Sequence, residues 1–416
     1  MKRNRFGVYF FLFSAAGMIA LMVLFARGMK GIDETQQVQA IEEFSMTDFE
    51  NPAFDLPVLP PLRDFVSYMD RELDSSHTVG AAYTIVHSGS IGYTRTFGER
   101  RRGSGQEVDA HTLFRLASVS KGFAGALACL MEKEGLISLD DRVVDCYPGF
   151  KLKDSVSTRD MTIKNLLSHT TGLVPYAFDN LVEADQSLPD IVARLDEVDI
   201  SGSPGTIYSY QNVMFSMWDP IVRRATGTPY QILVDEMIFK PLGMKDASVG
   251  MIADTTSLNM AYPHVRGRDG FIPLMPHQGY YNVLPAAGVN ASISDMGQWL
   301  MALLGHHSTV FPDTISKMLA EPLIYTPLKY NYTRNWQPFR ERYYSLGWRI
   351  YLYRGRKIVY HGGYIRGYRA EIAFCPSEDL GIAFMQNSPN DLASKVVPRF
   401  FDLYFDHQEQ LLKPEN

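Results

Sequence analysis

Leu116-Ala117-Ser118-Val119-Ser120-Lys121-Gly122-Phe123 is the stretch on which the fold and chemistry of this chain turn. Val119, Phe123, Ala126, Leu127 and Leu130 recur at helical spacing and predict a helix from Ser118 to about Glu132. Lys121 follows Ser118 by three residues, which sets both side chains on one face, a turn apart. A hydroxyl is a weak nucleophile until a base takes its proton. An amine can be that base once burial keeps it neutral near pH 7. The free N–H groups of a helix start also point towards Ser118 and can hold an oxyanion. About one Ser-x-x-Lys is expected by chance in a chain of this length. Taken alone, the pattern favours a serine N-cap followed by a solvated lysine.

Composition narrows the field. The chain has 416 residues, 46% hydrophobic and 21% charged, enough for a large core. Its net charge is -6, and no long basic run offers nucleic acid an electrostatic footprint. Cys129, Cys146 and Cys375 are too few and too scattered for a disulfide scaffold or a zinc site. Cys129 and Cys146 could pair in an oxidising compartment, but the third cysteine argues that the fold does not depend on it.

Residues 6–26 are uncharged and almost wholly apolar, preceded by Lys2, Arg3 and Arg5. That length suits a membrane-spanning helix, with residues 1–5 cytoplasmic and the body outside. A cleaved signal peptide is the competing reading. The expectation is a single-pass protein of the bacterial inner membrane, its body in the periplasm or outside the cell. Residues 27–61 are polar, then acidic, then proline-rich, and read as a tether.

The folded body is expected over 62–416. An amphipathic helix is predicted over 62–73, and a hairpin over 80–100 with Ser88-Gly89-Ser90 at its turn. A helix-rich stretch follows, about 122–305, punctuated by Pro148-Gly149, Pro204-Gly205 and Pro241-Leu242-Gly243. Strand character returns over 344–353, 357–361, 369–375 and 381–386, and an amphipathic helix closes the chain over about 391–405. Strands at both ends with helices between predict an α+β fold: one antiparallel sheet closed by both chain ends and flanked by helices.

Two further clusters carry chemistry. Tyr210-Gln211-Asn212 follows Pro204-Gly205 in a predicted loop. A phenol near a lysine can shuttle a proton, and an amide can orient a carbonyl or the lysine. Tyr280-Tyr281-Asn282 repeats the pattern, so order along the chain has to discriminate. His361-Gly362-Gly363 ends a strand before Tyr364, and paired glycines there let another backbone or a ligand approach. The chain has no Gly-x-Ser-x-Gly elbow, no His-Glu-x-x-His and no Walker-type phosphate loop.

Taken together, these motifs resemble the serine β-lactamase-like family, which includes class C β-lactamases, D,D-carboxypeptidases, D-aminopeptidases and related esterases. Phe114 through Lys121 is similar to the first motif of that family. Leu166-Leu167-Ser168-His169-Thr170-Thr171-Gly172-Leu173 resembles its Leu-Leu-x-His-x-Ser-Gly-Leu segment. Pro204-Gly205 through Tyr210-Gln211-Asn212 resembles the second motif. Leu346-Gly347-Trp348 followed by His361-Gly362-Gly363 resembles the third. The resemblance implies a β-lactamase/transpeptidase-like fold with an inserted all-helical subdomain. It implies Ser118, Lys121 and Tyr210 as catalytic residues, and Asn212, His361, Gly363 and Tyr364 as substrate-binding residues. The N–H groups of Ser118 and Tyr364 would hold the oxyanion, and neither a metal nor an organic cofactor is needed. Partners are then a small-molecule or peptide substrate and, through residues 6–26, the membrane.

Many β-lactamases carry Lys-Thr-Gly at the third motif, where the lysine helps hold a substrate carboxylate. A neutral imidazole at His361 is a weaker anchor. The expected activity is therefore acyl-enzyme hydrolysis of a D-amino-acid peptide or a carboxylic ester ahead of efficient β-lactam hydrolysis. A β-lactamase or penicillin-binding protein, and an inactive scaffold of the same fold, are the alternatives.

Overall fold

Ala81-Ala82-Tyr83-Thr84-Ile85-Val86 lies in a strand with both faces covered, and its alternation sorts the whole core. The computed structural model describes residues 60–252, 259–327, 335–336 and 339–411. The chain falls into two units, Met1–Pro57 and Val58–Asn416, and only the second contains described residues. Its strands are β1 Gly80–His87, β2 Ser90–Gly98, β3 Phe114–Arg115, β4 Ser248–Val249, β5 His264–Gly267, β6 Gly270–Pro273, β7 Val289–Ala291, β8 Ile324–Tyr325, β9 Phe339–Tyr344, β10 Arg349–Tyr353, β11 Arg356–Ile365, β12 Tyr368–Cys375 and β13 Leu380–Gln386. The helices needed below are α1 Pro60–Ser75, α2 Ser120–Lys133, α3 Asp179–Glu183, α4 Asn212–Ser216 and α5 Ala393–Leu411.

One eight-stranded antiparallel sheet runs in the order β2-β1-β13-β12-β11-β10-β9-β8. The two chain ends meet inside it: Ala81 opposes Gln386 and Val86 opposes Gly381. Successive side chains of a strand point to opposite faces. Ala81, Tyr83 and Ile85 therefore join Ile382 and Phe384 in a core under α1 and α5. Ala82 and Val86 join Ala383 and Met385 in the larger core that holds α2. Leu62, Phe65, Met69 and Leu73 form the buried stripe of α1, and the Phe65 ring meets Phe400 of α5 at 5.0 Å. Pro60 and Pro61, placed in the tether by composition, open α1, because the first helical turn has no use for their missing N–H groups.

α2 is buried from Ser120 to Met131, as a helix apolar on every side must be. Gly122 and Gly125 mark where the sheet presses on it. A Cβ at Gly122 would meet the Trp348 ring at 2.5 Å, and one at Gly125 would meet the Leu346 carbonyl oxygen at 2.1 Å. The single strand expected over 344–353 breaks at this contact. β9 ends at Tyr344, Ser345-Leu346-Gly347-Trp348 turns onto α2, and β10 starts at Arg349. Gly125→Ala should lower stability by about 1–3 kcal/mol, because the obstructing atom is backbone and no rotamer change relieves it. An unchanged melting temperature would show that helix and turn are not locked together.

The helix-rich stretch also carries short strands. β7 joins β3 and β4 in a three-stranded sheet, and β5 and β6 form a hairpin. Strands of two to four residues carry too little alternation to be read from sequence.

The membrane expectation is corrected. Among the described residues no helix is long and apolar enough to cross a membrane. α5, the longest of them, bears exposed Lys395, Arg399, Asp406 and Glu409. Residues 6–26 lie outside the described residues, as does nearly all of the expected tether. A single-pass inner-membrane location therefore has no supporting span and is withdrawn. Cys129, Cys146 and Cys375 are free thiols.

Candidate active site

The chain enters α2 through a tight 3-10 turn, Ala117–Val119, so the α-helix begins at Ser120, two residues later than its spacing predicts. Ala117 has φ +47°, a left-handed conformation costing a residue with a Cβ about 1–2 kcal/mol. Strain of this kind persists where the surrounding structure enforces it, often at functional sites. Ser118 does not cap the helix, whose N-terminus has no side-chain cap. Its hydroxyl meets two other groups instead. The Tyr210 O–H donates to Ser118 Oγ at 2.8 Å, and Lys121 Nζ lies 3.4 Å from the same oxygen.

Lys121 is fully buried, which removes the solvated-lysine reading. Its Nζ donates to Asn212 Oδ1 at 2.8 Å and to the Ala286 carbonyl at 2.9 Å. Burial holds this amine well below the usual lysine range; Asp179 opposes that shift and Arg349 adds to it. Tyr210 moves the other way. Burial raises its phenol well above the ordinary tyrosine range, with Arg349 and the bond to Ser118 pulling back. Near neutral pH one neighbour of Ser118 can therefore accept a proton, and the other holds one.

Tyr210 owes its place to the segment around His169. The short helix Ile163–Leu167 is fixed by a Thr162–Asn165 capping box. The loop after it binds the Tyr210 loop by main chain: Gly205 N–H donates to Thr170 O at 2.7 Å and Ser209 N–H to His169 O at 2.8 Å. His169 Nδ1 accepts from Gln211 N–H at 3.2 Å, and its ring lies 4.2 Å from the Tyr210 ring. Burial, reinforced by Lys121, His361 and Arg349, keeps this imidazole neutral. His169 is thus a brace for the phenol.

The third motif divides its tasks. β11 outruns β10 beyond Tyr360, and this free stretch packs on the turn bearing Ser118. A Cβ at Gly363 would lie 2.2 Å from Leu116 O and 3.1 Å from Ser118 N, so only glycine permits the approach. Gly363 is buried in that contact, while Gly362 and the exposed Tyr364 line the cavity. His361 does not reach the cavity, contrary to its expected substrate contact. Strand alternation turns its ring inward, where Nδ1–H donates to Gly362 O at 2.9 Å and Nε2 accepts from Tyr344 O–H at 3.1 Å. Burial, with Arg349 and Lys121 nearby, keeps it neutral.

A cavity of about 180 Å³ opens on Ser118, and a cleft of about 900 Å³ adjoins it, sharing Tyr280, Tyr364 and Ile365. Tyr280 lines both; its O–H donates to Glu183 at 3.0 Å. Two charged residues of the small cavity escaped the sequence reading. Arg349 follows the Leu346-Gly347-Trp348 signature directly. Its guanidinium lies 5.6 Å from the Tyr210 ring centroid and donates to Tyr208 O–H at 3.3 Å. Among the described residues no carboxylate forms an ion pair with it. Asp179 opens α3 and accepts from Asn212 Nδ2 at 2.8 Å. Proximity to the third motif could have flagged Arg349; no sequence signal marks Asp179.

Comparison with known proteins agrees with the fold. The family model described as Beta-lactamase matches residues 65–403. The unguisins hydrolase ungD of Aspergillus violaceofuscus is 27% identical over 349 residues, covering 74% of this chain and 58% of that protein. Its counterpart ungD' in Aspergillus campestris is 27% identical over 370 residues, covering 83% of this chain and 65% of that protein. The chain thus spans less than two thirds of the length of either fungal relative. The octameric penicillin-binding protein homologue from Pyrococcus abyssi superposes with a TM-score of 0.71 at 19% identity, over 83% of this chain and 77% of that one. That likeness speaks for the fold.

Proposed function

The chain belongs to the beta-lactamase family, and from that premise we propose that it is a serine hydrolase working through an acyl-enzyme on a small amide or ester. One observation carries this reading: Ser118 Oγ sits between a fully buried amine, which burial drives towards its neutral form, and a buried phenol, which burial drives towards its protonated form. Ser118 gives its proton to Lys121 Nζ as Oγ attacks the substrate carbonyl. The oxyanion is held by the N–H groups of Ser118 and Tyr364. Tyr210 passes a proton to the leaving amine or alcohol and is resupplied from Lys121. Water, deprotonated by the same pair, then releases the acid and restores Ser118.

The substrate class favoured is a D-amino-acid peptide or a carboxylic ester. Arg349 supports a peptide with a free carboxylate, since a guanidinium pairs with that group in bidentate fashion. It also offsets the missing third-motif lysine, so a β-lactam remains the second reading. That one relative is named as a hydrolase of unguisins supports hydrolysis as the reaction class.

The test is a fluorophosphonate probe with mass mapping, run beside D-Ala-D-Ala peptides, D-amino-acid amides, p-nitrophenyl esters and nitrocefin. Label on Ser118 and turnover of at least one substrate are expected. A chain that resists every acylating agent would end the proposal. Arg349→Gln should lower kcat/KM for carboxylate-bearing substrates about 10-fold more than for neutral esters, the loss of a charge-assisted hydrogen bond. Equal losses on both would remove Arg349 as the anchor.

A further inference from the structure

The surroundings of Lys121 impose a count. A neutral amine has two N–H donors and one lone pair. Both donors are committed, to Asn212 Oδ1 at 2.8 Å and to Ala286 O at 2.9 Å. The lone pair is left for Ser118 Oγ, 3.4 Å away. This holds only while Asn212 turns its oxygen to Lys121. The two ends of a primary amide have nearly the same shape and opposite chemistry. Reversed, the amide would aim an N–H at the lysine and occupy the lone pair that Ser118 needs.

We propose that Asp179 is a positioning residue for this reaction: by accepting from Asn212 Nδ2 at 2.8 Å it locks the amide oxygen onto Lys121 and so aims the free lone pair at Ser118. The proposal rests on the acyl-enzyme reading. An ionised carboxylate has no proton to donate, so it tolerates only the NH2 end of the amide. The short helix α3 brings it there from the insertion, into the lining of the cavity that Ser118 and Asn212 share.

Charge acts in the opposite direction, favouring the ammonium form of Lys121. Asp179 faces Lys121, Glu183 and Tyr280, while Lys121 also faces Arg349 and the neutral imidazoles of His169 and His361. Burial raises the Asp179 carboxyl to about 6, with its bond to Asn212 and the lysine opposing the shift. Above that pH it is the acceptor-only clamp. Below it the carboxyl gains an O–H, tolerates either amide orientation and no longer offers Lys121 a counter-charge. A nearby anion favours the ammonium form and raises the amine's pKa. Removing the anion lets the amine stay neutral to lower pH.

The decisive experiment compares wild type, Asp179→Ala and Asp179→Asn on a neutral ester, recording kcat, KM, the pH profile, fluorophosphonate labelling and thermal melting. Asp179→Ala should lower kcat and the labelling rate roughly 10- to 100-fold, within the ~10²–10⁴-fold a general base supplies, with KM within about threefold. Asp179→Asn still offers an uncharged acceptor, so it should retain more activity while its acid limb moves to lower pH. A purely structural Asp179, an acidic first-turn residue favouring the N-terminus of α3, predicts a lower melting temperature and an unmoved limb. That result, or a kcat within twofold of wild type in Asp179→Ala, overturns the proposal. Asp179→Asn keeps the size of the native residue, and its limb decides the matter should the alanine variant fold poorly. A wild-type protein that never labels at Ser118 would instead remove the acyl-enzyme reading beneath it.

Discussion

Ser118→Ala is expected to lower kcat/KM on the order of 10⁴- to 10⁶-fold while the protein remains folded. Ser118 sits at a cavity mouth and is only partly buried, so losing one oxygen opens no core void. The structural cost is the acceptor for the Tyr210 O–H, worth about 1 kcal/mol. Matched melting curves and circular dichroism with no fluorophosphonate label would meet the expectation. Retained turnover would mean that another group carries the acyl chain, and unfolding would mean that Ser118 is structural.

Lys121→Arg is expected to cost about 10²- to 10⁴-fold in kcat at every accessible pH, the contribution of a general base. A guanidinium keeps the positive charge but cannot give up its proton. Activity above a tenth of wild type would shift the base role to Tyr210. Lys121→Met should be as inactive, and it tests the energetics separately. The Lys121 pKa is depressed on folding, below its usual 10.5. Between the depressed value and about 10.5 the unfolded chain therefore binds one more proton than the folded one, and wild-type stability rises with pH. Lys121→Met should flatten that slope, read from denaturant midpoints between pH 7 and 10. An equally steep slope in the variant would place the titrating group elsewhere.

Much of the fold was legible because its elements are long and periodic. The β1–β2 hairpin, α2, the C-terminal strands and the closing helix all follow from alternation or helical spacing. The reading failed where a tertiary contact outweighs local pattern. The strand expected over 344–353 breaks because Gly122 and Gly125 invite Leu346-Gly347-Trp348 onto α2. The helix expected from Ser118 starts late because Ala117 is held left-handed. His361 was assigned to substrate because its motif position suggests it, yet strand alternation turns it inward to Tyr344.

Sequence alone determined the order Ser118, Lys121, Tyr210, Asn212, Gly363, the residue types that the proposed acyl transfer requires, and the antiparallel sheet that both chain ends complete. It could do so because helical and strand periods are local, and because chemically demanding residues stand out against a globular background. Only the tertiary structure decided in which direction each group's proton affinity moves, since burial lowers the pKa of the lysine and raises that of the tyrosine. It alone brought Arg349 and Asp179 into one cavity with Ser118. Their effect depends on distance through space, and a guanidinium from β10 and a carboxylate from α3 come within reach of Ser118 only when the sheet and the insertion have closed around α2.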